Sequence, residues 1–417
     1  MNARERFLAA ANHTEPDRVP FDFGVTRSGG ITAVAYNALV KHMGLDVGPA
    51  RIYDIQQQLA WPDESLLEMF GVDIVDMGRA FLTGPADWTP VTLKDGSAGL
   101  IPAYHRHAIA DDGTETLSSK RGTPVAIKPT SSFYFDQHTW PWKGLDAIPD
   151  PIDPADFEEE IWAVPASPNH LDYMTCDDAQ ASLAAAAKHL YETTDQALYI
   201  DFGRAGFFEK GFYMRGAENW LVEMMIDRAG AERMLDAYVE SCLARLERVL
   251  AAVGPYIQVI RLFHDDLGSQ TGPQFSPELF KDLMVPRYRT LCDFIHARSE
   301  CKILSHSCGS ILPMIEHFIN AGVDMLNPIQ IGAENMDPAT LKETFGDEIV
   351  YWGGGCDTVS ELEQGTPQQV RDRVKEHIDT FAPGGGFVFV HTHNIQPGVP
   401  PENVVAMLEA VREFGGY

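Results

Sequence analysis

The chain has 417 residues, 45% of them hydrophobic and 22% charged, which is the composition of a folded protein with a large core rather than a disordered one. Sixty acidic residues against 32 basic ones give a net charge of −28, a field that repels phosphate backbones and anionic lipid surfaces and so excludes nucleic acid as an expected partner. No run reaches the roughly 18 consecutive apolar residues of a membrane span, and the opening Met1-Asn-Ala-Arg-Glu-Arg6 has no apolar stretch behind its charges. The expectation is a cytoplasmic protein with no membrane partner. The six cysteines, at 176, 242, 292, 301, 308 and 356, form no CxxC pair, so reduced thiols are expected rather than a disulfide framework.

In chain order, helical patterns over Arg4 to His13 and Gly30 to Gly44 flank the Pro- and Gly-punctuated stretch from Glu15 to Gly24, which reads as a helical cap leading into a strand. From 79 to 142 short alternating segments are broken by Asp95-Gly96 and Asp112-Gly113, the turn signals of an inserted β-meander. From Asp172 onward β-branched runs alternate with helices. The expected strands are Leu198 to Phe202, Tyr256 to Phe263, Lys302 to Ser305, Val323 to Leu326, Ile349 to Trp352 and Gly386 to Val390. The expected helices are Trp220 to Ile226 running on through Ala231 to Val253, then Pro277 to Arg298, Ile311 to Asn320, Pro367 to Phe381 and Glu402 to Phe414.

Strand alternating with helix means a parallel sheet. An open doubly wound sheet satisfies the same pattern, but no GxGxxG or Walker-type loop is present, and nearly every strand ends in polar residues. In a (β/α)₈ TIM barrel those ends converge on one mouth. The expected architecture is one barrel domain over 1–417, with an N-terminal helical cap and a β-rich insertion.

The sharpest chemical feature is His306-Ser-Cys308-Gly309, because two metal-capable side chains one residue apart lie on the same side of an extended segment. A third zinc ligand comes from the later strands: His393 first, with Cys356 and His391 as second choices. After another strand, His264-Asp265-Asp266 offers adjacent carboxylates for general acid work or for the metal. Asp201, Arg204, Phe207 and Asn327, near other strand ends, are candidate substrate contacts, and the aromatics Phe208, Phe212, Tyr213 and Trp220 suit either a pocket wall or core.

These residues resemble the uroporphyrinogen decarboxylase superfamily. The likeness rests on Arg4-Glu-Arg-Phe-Leu-Ala-Ala-Ala-Asn-His13 with Glu15-Pro-Asp-Arg-Val-Pro20, on Asp265-Asp-Leu-Gly-Ser-Gln-Thr-Gly272 with Phe275-Ser-Pro-Glu-Leu279, and on His306-Ser-Cys-Gly309 with Gly322-Val-Asp324 and Gly384-Gly-Gly-Phe387. Its decarboxylases carry an Arg-rich Met-Arg-Gln-Ala-Gly-Arg motif that this chain replaces with Phe21-Asp-Phe-Gly-Val-Thr-Arg-Ser-Gly29. Its methyltransferases bind zinc through HxC and a late cysteine, which falls on His393 here.

The resemblance therefore implies a zinc-dependent methyltransferase or demethylase component. His306, Cys308 and His393 would be ligands and Asp266 the acid or orienting carboxylate. The methyl group would move between a corrinoid, cobalamin on a partner protein, and a small thiol or other acceptor. Decarboxylation of a tetrapyrrole or other small carboxylate, and non-catalytic tetrapyrrole or corrinoid binding, are the alternatives. A homodimer is common among related barrels.

Overall fold

The fold is described for residues 1–163 and 177–417 of a computed structural model. Seven parallel strands run in sequence order around a curled sheet: β1 (Ile74–Asp76), β2 (Ala197–Ala205), β3 (Val259–His264), β4 (Lys302–His306), β5 (Met325–Asn327), β6 (Val350–Trp352) and β7 (Phe387–Val388). The two edges are joined by the extended segment at Phe21. Asp22 N donates to Phe389 O at 2.9 Å, Phe389 N to Pro20 O at 2.8 Å, and Asp73 N to Phe21 O at 2.9 Å. That segment is the eighth stave, so the sheet has no open edge and the architecture is the expected barrel.

The strands are short, and their apolar residues are buried on both faces, under the helices and inside the barrel, which is why they read as apolar runs rather than as alternating patterns. Each buried Val, Leu, Ile or Phe contributes about 1.5–3 kcal/mol. Two helices expected to be continuous are interrupted. Asp227 leaves the helical region between Ala217–Ile226 and Arg228–Val253, and its carboxylate caps the second helix by accepting from Gly230 N at 3.0 Å. Pro286 opens Val285–His296 after Pro277–Leu283 ends near Met284, because proline fits a first helical turn and not an interior.

Residues 79–142 hold six short strands. Trp88–Thr92 and Ala98–Pro102 pair antiparallel and extend a sheet built on Ala50–Asp54 and Leu59–Trp61, while the four from His107–Ile109 to Asp136–Gln137 form a sheet of their own. The earlier strands at 31–61 carry no signal that sequence reading picked out. They pair with one another, and their outer partners lie far along the chain: Ala50 faces Gly99 and Ile31 bridges to Ile395. Among the described residues, no helix is long and apolar enough to cross a membrane.

Candidate metal and substrate site

The ends of strands β3, β4 and β5 deliver four groups to a common point at the mouth of the barrel: Asp266, His306 with Cys308, and Asn327. On β4, His306 and Cys308 project to the same side, with Nε2 and Sγ 3.3 Å apart. The turn that allows this is Gly309, at φ 86°, where a Cβ would stand 2.4 Å from the Gly268 carbonyl carbon, so only glycine permits the close approach of the β3 loop. From that loop Asp266 brings Oδ1 to 3.4 Å from His306 Nε2 and accepts the Cys308 amide at 3.0 Å. From β5, Asn327 Oδ1 accepts His306 Nδ1–H at 2.7 Å, and its own amide donates to Trp352 O at 2.8 Å. The side chain of Asn327 is thus fixed as acceptor toward His306, which puts a proton on Nδ1 and turns Nε2 toward Cys308 and Asp266.

Asp266, His306 and Cys308 offer ligand atoms within 4.8 Å of one another, the single such group among the described residues. Around a tetrahedral zinc with bonds of about 2.0–2.3 Å, donor atoms stand roughly 3.3–3.8 Å apart. The two separations from His306 Nε2, 3.3 Å to Cys308 Sγ and 3.4 Å to Asp266 Oδ1, match that spacing. Burial would raise the Asp266 pKa, but hydrogen bonding to His306 and to the Cys308 amide outweighs it and holds the carboxylate well below its usual range. Burial and the neighbouring Asp266 charge push the Cys308 thiol well above its ordinary value. A metal entering this site must therefore displace a thiol proton.

Asp266 and His306 of this cluster line a cavity of about 270 Å³, near the small end of ligand pockets, which span about 300–1,000 Å³. Glu209, His264 and Tyr213 stand next to the cluster. The Glu209 carboxyl lies 3.0 Å from His264 Nδ1 and 3.2 Å from the Tyr213 hydroxyl. Burial, reinforced by the Asp266 charge, pushes Glu209 up to about 8, while burial and the Arg261 charge push His264 down to about 4. At neutral pH the proton is therefore held on the carboxyl rather than on the imidazole.

Across the cavity, Arg261 is paired with Asp201 at 3.0 Å, and Arg27 with Asp54 at 2.9 Å, both almost fully buried. Arg27 also stacks over the Trp162 ring, 4.6 Å from its centroid.

The sequence-predicted residues separate into two sets. His306, Cys308 and Asp266 converge, and His393 lines the same cavity without joining their cluster. Asn327 serves as the orienting partner of His306 rather than as a cavity wall. Asp265 turns away from the mouth: it accepts the amides of Phe207 and Glu209 at 2.8 and 2.9 Å and the Tyr288 hydroxyl, and so anchors the start of helix Phe207–Arg215.

Asp201 holds Arg261, and Phe207 is buried against Tyr238, Phe263 and Tyr288. His391 is fully buried, with Nε2 3.1 Å from Gly30 O, and Cys356 is fully buried beside Asp357. The side chain of Arg204 lies outside the described residues, as does Cys176.

Sequence reading missed Glu209, Arg261, Arg27 and Trp162. Arg261 carried the one available signal: a cation inside an otherwise apolar strand, which needs a buried counter-charge.

A closed parallel barrel with a nitrogen, sulfur and oxygen donor set at its C-terminal mouth defines an enzyme-type site. Residues 176–414 match the family described as "Uroporphyrinogen decarboxylase (URO-D)", and the chain belongs to that family.

The chain is 31% identical over 101 residues to a uroporphyrinogen decarboxylase of Methylococcus capsulatus, a match covering 24% of this chain and about a quarter (27%) of that relative's length. It is 23% identical over 201 residues to a methylated-thiol–coenzyme M methyltransferase of Methanosarcina mazei, spanning 48% of this chain and about half (49%) of that relative. A solved methyltransferase structure from Methanosarcina mazei superposes with a TM-score of 0.57 over 99% of both chains at 16% identity, which shows the fold. The relatives thus include both decarboxylases and a methyltransferase.

Proposed function

We propose that this chain is a zinc-dependent methyltransferase, or the demethylating component of one. It would move a methyl group between a corrinoid carried on a partner protein and a small thiol or other acceptor in the cavity. The observation that carries the reading is the convergence of Asp266 Oδ1, His306 Nε2 and Cys308 Sγ at donor separations suited to one tetrahedral ion. His306 and Cys308 hold the metal in this reading, and Asp266 takes the third position in place of the expected His393. Bound there, zinc supplies Lewis acidity that lowers the pKa of a thiol or hydroxyl at the open position.

The protein's own residues do the rest. Asn327 keeps His306 in the metal-binding tautomer. Trp162, Tyr213 and Tyr134 wall the cavity and exclude water around the reacting groups. Glu209 holds a proton against His264 and can deliver it to a group departing with excess electron density.

Zinc content and methyl transfer, measured side by side on the wild type and Cys308→Ala, test the reading. About one zinc per chain, with loss of both metal and corrinoid-dependent methyl transfer in the variant, is expected. Full transfer by metal-free protein sinks it.

Arg27 and Arg261 favour a second reading, decarboxylation of a small carboxylate held by guanidinium groups. CO₂ release that persists in metal-free Cys308→Ala would favour that reading over methyl transfer.

A further inference from the structure

The loop after β5 holds the HxC segment at two points, His306 and Gly309. At the first, Asn327 accepts from His306 Nδ1. At the second, three residues further on, Gln330 Oε1 accepts the amide of Gly309 at 2.8 Å. That amide belongs to the peptide immediately after Cys308, at the left-handed turn where φ is 86°.

Between these two arms the backbone is strained. Ile329 is 1% exposed and has φ 53°, a region that branched side chains avoid because the Cβ crowds the backbone. Ile331 N donates to Ile329 O at 2.9 Å and closes a three-residue turn with Gln330 at its centre. A residue persists in such a conformation only where its surroundings over-determine it. Here the loop after β6 presses on the turn so closely that a Cβ on Gly353 would stand 1.8 Å from Pro328 O.

Three hydrogen bonds fix the backbone around the Cys308 side chain. Its amide goes to Asp266 Oδ1 at 3.0 Å, its carbonyl accepts Gly268 N at 3.1 Å, and the next amide goes to Gln330. The first bond uses the same carboxylate oxygen that faces His306 Nε2 at 3.4 Å, so an ion that draws Asp266 into coordination competes for it. Gln330 stands outside the donor set and keeps its bond whatever Asp266 does. It is only half-buried, so its side chain can be changed without opening the core.

We infer that Gln330 is a positioning residue of the Asp266–His306–Cys308 site. Its side-chain carbonyl fixes the Gly309 amide and, through that peptide, the direction of Cys308 Sγ toward His306 Nε2, 3.3 Å away. Asn327 and Gln330 then act as a pair, with one strained loop orienting both the imidazole and the thiol. That the thiol so placed holds a metal rests on the methyl-transfer reading, whereas its placement by Gln330 does not.

Two variants of the full-length protein test the inference. Gln330→Met keeps the side-chain length without the acceptor, and Gln330→Glu keeps an acceptor oxygen. The first readout needs no metal: alkylation of Cys308 by iodoacetamide in metal-free protein, followed by peptide mass spectrometry. Gln330→Met is expected to raise the rate at least about fivefold, because the thiol is freed from its place beside His306, and Gln330→Glu to stay close to the wild type. The second readout is titration with Co²⁺, followed by the thiolate-to-cobalt absorption band. Gln330→Met is expected to weaken cobalt binding at least about tenfold and to lower that band at saturation, with both restored in Gln330→Glu.

A merely stabilising contact would move the melting temperature and leave the alkylation rate and the saturated spectrum unchanged. The inference is overturned if Cys308 of Gln330→Met alkylates at the wild-type rate, or if Gln330→Glu is altered as much as Gln330→Met. A wild type that shows no thiolate-to-cobalt band at saturating Co²⁺ sinks the metal reading instead, and the alkylation rates still decide the role of Gln330.

Discussion

Two strands of this barrel end in nearly the same words, β4 in His306-Ser-Cys308 and the β7 stretch in His391-Thr-His393, yet only the first becomes part of a metal-capable cluster. At β4 the neighbours supply what the pair lacks. Asn327 from β5 fixes the His306 ring, and Asp266 from β3 brings a carboxylate and ties down the Cys308 amide. At β7 the flanking elements are the Gly353-Gly-Gly-Cys356 turn and the Phe21 segment. His391 is taken into the interior against Phe23, with its Nδ1 unpartnered, and burial pushes its pKa down to about 4. His393 reaches the cavity without a partner set of its own. Side-chain alternation places two potential ligands on one side of a strand; the adjacent strands decide whether they meet a metal.

The strongest way to break this contrast is at the ligands. Cys308→Ala is expected to weaken zinc binding by at least about a hundredfold, since a coordination bond and a thiolate charge are both lost. His391→Asn should leave zinc content at the wild-type level. Elemental analysis of the two purified variants checks both, and metal loss in His391→Asn would show that β7 contributes after all.

The adjacent carboxylates sharpen the comparison next. Asp265→Ala strands two amides and a hydroxyl, so it should cost about 2–4 kcal/mol in denaturant unfolding while the folded fraction keeps its zinc affinity. Asp266→Asn should do the reverse, losing metal with little loss of stability. A smaller effect is expected at Asn327. Asn327→Ala frees the His306 ring and should weaken zinc about 10–100-fold in a competition titration, with the ligands themselves intact.

The smallest effect concerns pH. Glu209 is pushed up to about 8 in the folded chain, from an ordinary value of 4.5. Between those values the unfolded chain has released the proton that the folded one retains. Stability of the metal-free protein through this group therefore falls as pH rises from about 4.5 to about 8. Glu209→Gln should remove that part of the slope in thermal melts run across the range. An unchanged slope would mean that Glu209 is not held protonated.

Much of the fold was legible in residue order alone. The apolar runs at 198–202, 302–305 and 349–352 and the capped helix Pro367–Phe381 stand where periodicity placed them, because strand burial and helix capping are written in neighbouring residues. HxC at a strand end was legible for the same reason. What sequence could not show is anything that depends on contacts across distant parts of the chain.

Asp265 and Asp266 are consecutive and were read as one feature. Only packing against Tyr288 and the start of helix Phe207–Arg215 decided that one turns inward while the other faces His306. The cavity wall is assembled from Arg27, Gln56, Trp162, Glu209, Arg261 and His393, positions so far apart that no local pattern links them. The sequence by itself determined the family, the alternation of strand and helix and the HxC pair. The tertiary structure alone decided that Asp266 meets His306 and Cys308, the orientation of His306 by Asn327 and the make-up of the cavity wall, because each depends on which strands the closed barrel makes neighbours.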